Sequence, residues 1–341
     1  MGALYRVVKP WLFGMDPEDA HLRIASLLRL AQATPGALAV LRSVFAAPEV
    51  PARLGPLKLR NPVGLGAGFD KNAEMIPALA ALGFGFLEVG TITRRGQPGN
   101  PRPRVFRYPA LQAVVNRMGF NNVGADEAAR TLEKTPRPGI PIGINVGKNA
   151  TTPLEEAAAE YAETIRILLP FADYVTINIS SPNTKDLRKL HEPERLLPLL
   201  DAAQGEMAKA TRPVPLFLKL SPDADLADLE GAARTLVERN VGVIATNTTV
   251  DRTGMDNLEQ GGLSGVPVRA RSTQVVKALA AITAGKVPLI GVGGVFSAQD
   301  ALEKRDAGAD AVQVYTGLVY GGPGMVSSMV RALAKEGSWL R

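Results

Sequence analysis

The stretch LIGVGGVFSAQDALEKRDAGADAVQVYTG, residues 289–317, reads as strand, helix, strand. An apolar run at 289–292 stops in Gly293-Gly294, a helical pattern covers 298–307, and a second apolar run at 311–314 stops in Tyr315-Thr316-Gly317. Two short buried strands joined by a crossover helix make a parallel pair. Dinucleotide-binding sheets use the same unit, but their G-x-G-x-x-G fingerprint is missing. Gly291-x-Gly293 is followed by Phe296 where the last glycine should stand, and Gly64-x-Gly66 is followed by Phe69.

The same alternation extends back along the chain. After a short hairpin over 52–59, further apolar runs fall at 63–67, 86–89, 142–146, 174–179, 216–220 and 243–246, with helical patterns at 155–169, 193–210, 226–239 and 270–281. Eight such units predict an α/β chain folded as a (β/α)8 TIM barrel, with an open doubly wound sheet as the competitor. Barrels gather their chemistry at the C-terminal ends of the strands. Those ends carry Ala67-Gly68-Phe69-Asp70-Lys71-Asn72, Gly90-Thr91, Asn145-Val146-Gly147-Lys148-Asn149, Lys219 and Thr246-Asn247-Thr248-Thr249. The fourth run ends in Asn178-Ile179-Ser180-Ser181-Pro182-Asn183-Thr184, rich in uncharged donors and acceptors and suited to a flat, heteroatom-rich molecule. Ser-Pro-Asn is also ordinary turn chemistry, so only its placement in a barrel gives the segment weight.

Glycines after the seventh run and Tyr315-Thr316-Gly317 after the eighth resemble the phosphate cradle that barrels build at this point. A phosphate without a P-loop or dinucleotide fingerprint points to a mononucleotide-like cofactor or a phosphorylated substrate. Lys219 suits either: it could face the electron-rich edge of a flavin ring or neutralise a substrate phosphate.

Composition narrows the chemistry. The 341 residues include 39 Lys and Arg against 33 Asp and Glu, no Cys, and only His21 and His191. Disulfides, thiolate metal sites, cysteine nucleophiles and histidine triads are excluded or nearly so, and no metal is expected. The net charge of +6 is compatible with nucleic acid, anionic membranes or small anions. Arg94, Arg95, Arg102, Arg104 and Arg107 are broken up by Pro and Gly and accompanied only by Phe106 and Tyr108. They predict a solvated or anion-facing loop, not a nucleic-acid groove. His191 follows the basic stretch 185–189 and reads as a loop residue, and His21 as a residue on a helix face.

The first 47 residues differ from the rest. Asp16-Pro17-Glu18-Asp19 is a helix start, followed by Ile24, Leu27, Leu28 and Ala31 at helical spacing. Thr34-Pro35 repeats the signal before Leu38, Leu41, Val44 and Phe45. Ahead of both, residues 4–13 mix aromatic and aliphatic side chains with Arg6 and Lys9. Such a segment suits either a membrane interface or a helical pair packed on the main domain. No run has the length of a membrane span or the core of a signal peptide, and Arg6 stands where a myristoylated Met1-Gly2 terminus would need Ser or Thr, so an intracellular chain is expected.

In order and spacing, Asn116-Arg117-Met118-Gly119-Phe120-Asn121-Asn122, the 178–184 segment, Ala245-Thr246-Asn247-Thr248-Thr249, Gly261-Gly262-Leu263-Ser264-Gly265 and Ile290-Gly291-Val292-Gly293-Gly294 resemble the dihydroorotate dehydrogenases. The resemblance runs from about residue 50 to the C-terminus and also takes in the N-terminal helices. Those helices belong to the membrane-associated, quinone-using class 2. The resemblance implies a helical extension over 1–47 that meets membrane and quinone, and an FMN-binding barrel over 48–341. It implies FMN contacts from Ala67, Gly68, Thr91, Asn145, Asn178, Lys219, Thr246, Gly265, Gly294, Tyr315 and Thr316. Substrate contacts would come from Lys71, Asn116, Arg117, Met118, Gly119, Phe120, Asn178, Asn183, Asn247 and Thr248. Lys71 is a natural partner for the carboxylate of dihydroorotate, and the asparagines can pair its ring amides in both directions.

Ser181 matches the class 2 base that takes the C5 proton while hydride leaves C6 for the flavin. Class 1 has cysteine there. A serine hydroxyl needs activation or a relay, for which Thr184 is the neighbour, with Phe120 excluding solvent. The family implies a pyrimidine-biosynthetic enzyme, peripheral on the cytoplasmic face of the cell membrane and acting as a monomer. Two departures stand out: Ala73 replaces the usual glycine, and Tyr320-Gly321-Gly322-Pro323 lacks the usual lysine before Gly-Pro. The alternatives are a soluble fumarate- or NAD-linked class 1 enzyme, a flavin-free barrel lyase or isomerase, and a membrane-attached binding module without catalysis.

Overall fold

The computed structural model describes residues 3–184 and 187–340. The Met1-Gly2 terminus and the start of the basic stretch at 185–189 lie outside the described residues. Three helices come first: α1 (Ala3–Phe13), α2 (Pro17–Ala33) and α3 (Ala37–Val44). Asp16 caps α2 as its sequence predicts, accepting from the N–H groups of Glu18 at 2.9 Å and Asp19 at 3.1 Å. Thr34 does not cap α3. Its hydroxyl turns back to the Leu30 carbonyl at 2.8 Å, and Gly36, at φ +80°, makes the turn into α3.

The hairpin β1 (Ala52–Leu54) and β2 (Leu57–Leu59) leads into β3 (Val63–Leu65), α4 (Ile76–Ala80) and β4 (Phe86–Ile92). Next come β5 (Arg95–Gln97), β6 (Val105–Tyr108), β7 (Ala113–Asn116), β8 (Asn122–Gly124), α5 (Ala125–Lys134) and β9 (Ile142–Val146). The chain continues through α6 (Ala157–Leu168), β10 (Tyr174–Asn178), α7 (Pro193–Met207), β11 (Leu216–Leu220), α8 (Leu226–Glu238) and β12 (Gly242–Ala245). The last elements are β13 (Gly262–Gly265), α9 (Arg269–Thr283), β14 (Leu289–Val292), α10 (Ala298–Asp306), β15 (Ala311–Val314), α11 (Thr316–Gly321) and α12 (Gly324–Leu333). Strands β10, β11, β12, β14, β15, β3, β4 and β9 close in that order into a barrel, every neighbouring pair parallel.

The barrel interior is closed by rings set against glycines. A Cβ on Gly64, Gly143 or Gly242 would lie 2.3, 2.0 or 2.4 Å from the rings of Phe86, Tyr174 and Phe217 respectively. Each glycine thus makes room for an aromatic side chain from the adjacent strand. Phe86 and Tyr174 meet edge to face at 6.3 Å, and Tyr174 and Phe217 at 5.3 Å. All three are fully buried, so the barrel is a packed core and not a pore.

Two small sheets extend the mouth beyond the predicted strands: β13-β7-β6 and β5-β8. The arginine-bearing segment is therefore not a solvated loop. It contributes β5 and β6, and its anions are the chain's own carboxylates. Arg104 lies against Glu18 of α2 at 2.8 Å and also donates to the carbonyls of Pro98 at 2.6 Å and Asn100 at 2.7 Å. Arg102 reaches Glu18 at 3.1 Å and Asp16 at 3.3 Å. Arg107 donates to the carbonyls of Leu12 and Met15 and stacks on Phe13 at 4.6 Å. Arg94 pairs with Asp126 and Glu163. Sequence spacing alone could not show that Arg102, Arg104 and Arg107 hold the N-terminal helices to the barrel while Arg94 ties the end of β4 to α5 and α6.

Burial would raise the Glu18 carboxyl pKa, but hydrogen bonding and charge from Arg104 outweigh it and hold the group below the usual range. Arg104→Ala is expected to leave this buried carboxylate with only the more exposed Arg102 and to loosen α1 and α2. The loss should be about 3 kcal/mol, read as a lower urea midpoint together with new proteolytic cuts within residues 3–44.

Candidate active site

The site is built on the rings' upper side, where four strands deliver polar side chains to one place. Asn145 and Lys219 lie next to the ends of β9 and β11, Asn178 ends β10, and Thr246 and Asn247 follow β12. Thr91 donates to Asn145 Oδ1 at 2.6 Å, and Asn178 Nδ2 reaches the same oxygen at 3.2 Å. Asn247 Nδ2 donates to Asn178 Oδ1 at 3.2 Å and to Ser180 Oγ at 3.0 Å, and Thr248 N–H bonds Asn247 Oδ1 at 2.8 Å. Thr91, Asn145, Asn178, Ser180, Asn247 and Thr248 thus form one connected network.

Ser181 is buried at 6% exposure, and its Oγ accepts the Asn183 N–H at 3.3 Å. The Asn183 side chain donates to Asn116 at 3.3 Å, tying the serine loop to β7. Thr184, three residues on, has a buried hydroxyl with no hydrogen-bond partner. Phe120, at φ +55°, packs over Gly147 and beside Thr91. Met118 and Gly119 contribute backbone: their carbonyls accept from Asn100 N–H and Gln97 Nε2. Arg117 turns its guanidinium away, to Glu259 at 2.9 Å and over the Phe106 ring, so only its backbone remains beside the site residues.

Lys71 Nζ donates to the Gly68 carbonyl at 2.8 Å. Burial pushes its pKa down to about 8, with nearby Glu18 opposing. Burial also lowers Lys219, against the pull of Glu88. Thr246 Oγ1 is buried without a partner. On the opposite side, Gly293 at φ +119° and Gly294 at φ +70° turn after β14, and Thr316 opens α11 while its hydroxyl lies 2.8 Å from Ser264 Oγ. Gly265, at φ +100°, completes that rim from β13, and Tyr315 approaches the Gly68 carbonyl across it. Ala67 and Gly68 follow β3 on the same rim.

The model for the family described as "Dihydroorotate dehydrogenase" matches residues 52–336. The chain belongs to the dihydroorotate dehydrogenase family. A protein of Paraburkholderia phymatum named dihydroorotate dehydrogenase (quinone) is 49% identical, over 97% of this chain and 98% of its own. One of the same name from Methylococcus capsulatus is 48% identical, over 96% and 98%. The crystal structure of Eimeria tenella DHODH in complex with ferulenol superposes with a TM-score of 0.86 at 34% identity, covering 96% of each chain.

Against the dihydroorotate dehydrogenase pattern, the two departures have physical readings. Ala73 is buried at φ +60°, a left-handed conformation in which glycine would be unstrained. At the loop without its usual lysine, Lys9 of α1 reaches in instead, donating to the Tyr320 carbonyl at 3.0 Å and lying over the Tyr320 and Phe13 rings. The Tyr5 ring fills the space where a side chain on Gly322 would stand.

His21 is more than a helix-face residue. Its ring meets Phe69 edge to face at 5.1 Å, and Phe69 meets Tyr315 at 5.9 Å. Burial, then Lys71, pushes its pKa down to about 3, so the imidazole is neutral. Its rarity in the chain was the only sequence signal. His191 lies in a short helical turn over Leu187–His191.

A methyl group on Gly294 would meet Arg269 Cβ at 2.3 Å, in a backbone conformation L-residues avoid. Gly294→Ala is therefore expected to lower stability by about 2–5 kcal/mol, the sum of backbone strain and overpacking, seen as a fall in Tm.

Proposed function

We propose that the chain oxidises dihydroorotate to orotate, holds FMN at the barrel mouth and passes the electrons to a membrane quinone. The observation that carries this reading is the meeting of Ser181, the linked asparagines, Lys71 and Lys219 at the mouth of one barrel in a chain of this family. The residues fit the flavin. Buried Thr246 Oγ1 has no partner, and a buried lysine beside it offers a cation to an electron-rich ring edge. Ala67, Gly68, Thr91, Asn145, Asn178, Lys219 and Thr246 would hold the ring, and Gly265, Gly294, Tyr315 and Thr316 the ribityl phosphate. When bound, FMN supplies the acceptor for hydride from C6.

The chain's own residues do the rest. Lys71 pairs the substrate carboxylate, and Asn116, Asn178, Asn183, Asn247 and Thr248 fix the ring through donors and acceptors. The 117–120 backbone and Phe120 cover it. Ser181 takes the C5 proton, and the unpartnered hydroxyl of Thr184 is placed to pass it onward, since serine is too weak a base to keep it. A soluble class 1 enzyme is disfavoured, because that class uses cysteine at the Ser181 position and lacks the helical extension. Family membership likewise disfavours a flavin-free lyase or a binding module.

The 1–47 extension is read as the meeting place with quinone and membrane. The rings of His21, Phe69 and Tyr315 lead from α2 to the end of β15, a neutral aromatic path suited to a quinone. The outer faces of α1, α2 and α3 leave Val7, Trp11, Leu27, Leu30, Val40 and Val44 exposed. No single helix is long and apolar enough to cross a membrane. Those exposed faces support the reading of a peripheral protein on the cytoplasmic face of the membrane.

Anaerobic mixing with dihydroorotate should bleach the flavin, and added quinone should restore it. Ser181→Ala should bleach at least about 100-fold more slowly; an unchanged rate would remove Ser181 as the base. Leu30→Glu with Val40→Glu should abolish sedimentation with anionic vesicles while bleaching by dihydroorotate stays at the wild-type rate.

A further inference from the structure

Below the candidate site, one carboxylate stands fully buried in the barrel. Glu88 of β4 has 0% exposure. Its Oε2 accepts from Gln313 Nε2 at 2.7 Å, Tyr174 Oη at 3.0 Å and Thr176 Oγ1 at 3.3 Å. Its Oε1 accepts from Asn145 Nδ2 at 2.8 Å.

Its neighbours have a direction. Asn145 gives its Nδ2 to Glu88 and turns its Oδ1 to Thr91 and Asn178. Asn178 gives its Nδ2 to Asn145 and turns its Oδ1 to Asn247 and Ser180. Asn247 gives its Nδ2 to Asn178 and turns its Oδ1 to the Thr248 N–H. Three amides thus stand head to tail, each with nitrogen toward the barrel. An amide can flip end for end at almost no steric cost, so shape alone does not select this order. A carboxylate, which only accepts, does select it at the inner end: an oxygen of Asn145 facing Glu88 would set two acceptors together. The Ser180 and Thr248 N–H groups hold Asn178 and Asn247 in the matching sense, so a reversal that starts at Asn145 sets donor against donor further along.

We propose that Glu88 is the positioning residue that locks the amide polarity of the active site from its inner end, holding in place the groups that Asn178 and Asn247 present to the pyrimidine ring. This rests on the dihydroorotate reading above. Gln313 supports it from the other side. Its Nε2 is held by Glu88 while its Oε1 has no partner, so the carboxylate is what orients that amide too.

In Glu88→Gln, the donors Gln313, Tyr174 and Thr176 pin the new amide oxygen at the Oε2 position. The new NH2 group then faces the Asn145 NH2, and turning Asn145 only moves that donor clash to its contact with Asn178. In the swap Glu88→Gln with Gln313→Glu, the carboxylate at 313 accepts the NH2 group. The oxygen of the new amide at 88 then faces Asn145, and the original polarity returns. Neither position touches substrate or flavin.

The test is orotate affinity by titration calorimetry on full-length protein, with flavin content read by absorbance and folding by thermal melting. E88Q is expected to bind orotate about tenfold more weakly or worse, at about one reversed hydrogen bond. The double variant is expected to return to within about threefold of wild type. A purely structural role for Glu88 would lower Tm without this rescue. Wild-type affinity in a folded E88Q would overturn the proposal, as would a double variant that is folded yet as weak as E88Q, or that does not fold. If E88Q alone does not fold, the double variant decides by the same affinity criterion. Wild-type protein that binds no orotate would sink the dihydroorotate reading instead, and colourless wild-type protein the flavin reading.

Discussion

The inside of a parallel barrel must be filled, and here the filling decides what can stand above it. Rings from β4, β10 and β11 fit only because the neighbouring strands present Gly64, Gly143 and Gly242. Each buried ring is worth about 2–3 kcal/mol of burial, and together they close the floor on which the polar layer stands. Tyr174 belongs to both layers: its ring packs between Phe86 and Phe217 while its hydroxyl donates to Glu88. The same ring that closes the core orients the first acceptor of the site. Burial raises the Tyr174 hydroxyl pKa well above its ordinary value, so it remains a donor.

Electrostatics joins the helical extension to the barrel in a way that leaves one face free. Arg102, Arg104 and Arg107 bind the acids and carbonyls around the start of α2, so the inner face of the extension is fixed by charge and hydrogen bonds. The apolar residues of α1 to α3 consequently need not be used for docking, and many remain outside. In α3 no residue is buried at all. A soluble helix normally hides such a face. Here polar docking on one side and apolar exposure on the other fit the membrane contact proposed for the extension.

Much of this was legible in the chain. The runs at 142–146, 216–220, 289–292 and 311–314 coincide with β9, β11, β14 and β15, because central strands of a parallel barrel are continuous apolar segments between helices. The Asp16 cap could be read from Asp-Pro-Glu-Asp alone, since capping is a local interaction. The strands β5 to β8 and β13 could not. They are three or four residues long, and β7 pairs with β13 about 150 residues later. Thr34 misled for a related reason: its hydroxyl had two backbone partners within reach, and the carbonyl behind it won.

The sequence by itself determined the barrel, the family and the identity of the chemical groups at the strand ends, because hydrophobic period, turn residues and side-chain chemistry are all carried by short stretches. Only the tertiary structure decided what those groups face. It assigned Arg102, Arg104 and Arg107 to the helical extension, turned Arg117 away from the site, brought His21 against Phe69, and set Glu88 under the asparagines. Charge pairing, ring contact and amide polarity each depend on a partner distant in the chain, and distance in space is not written in any local pattern.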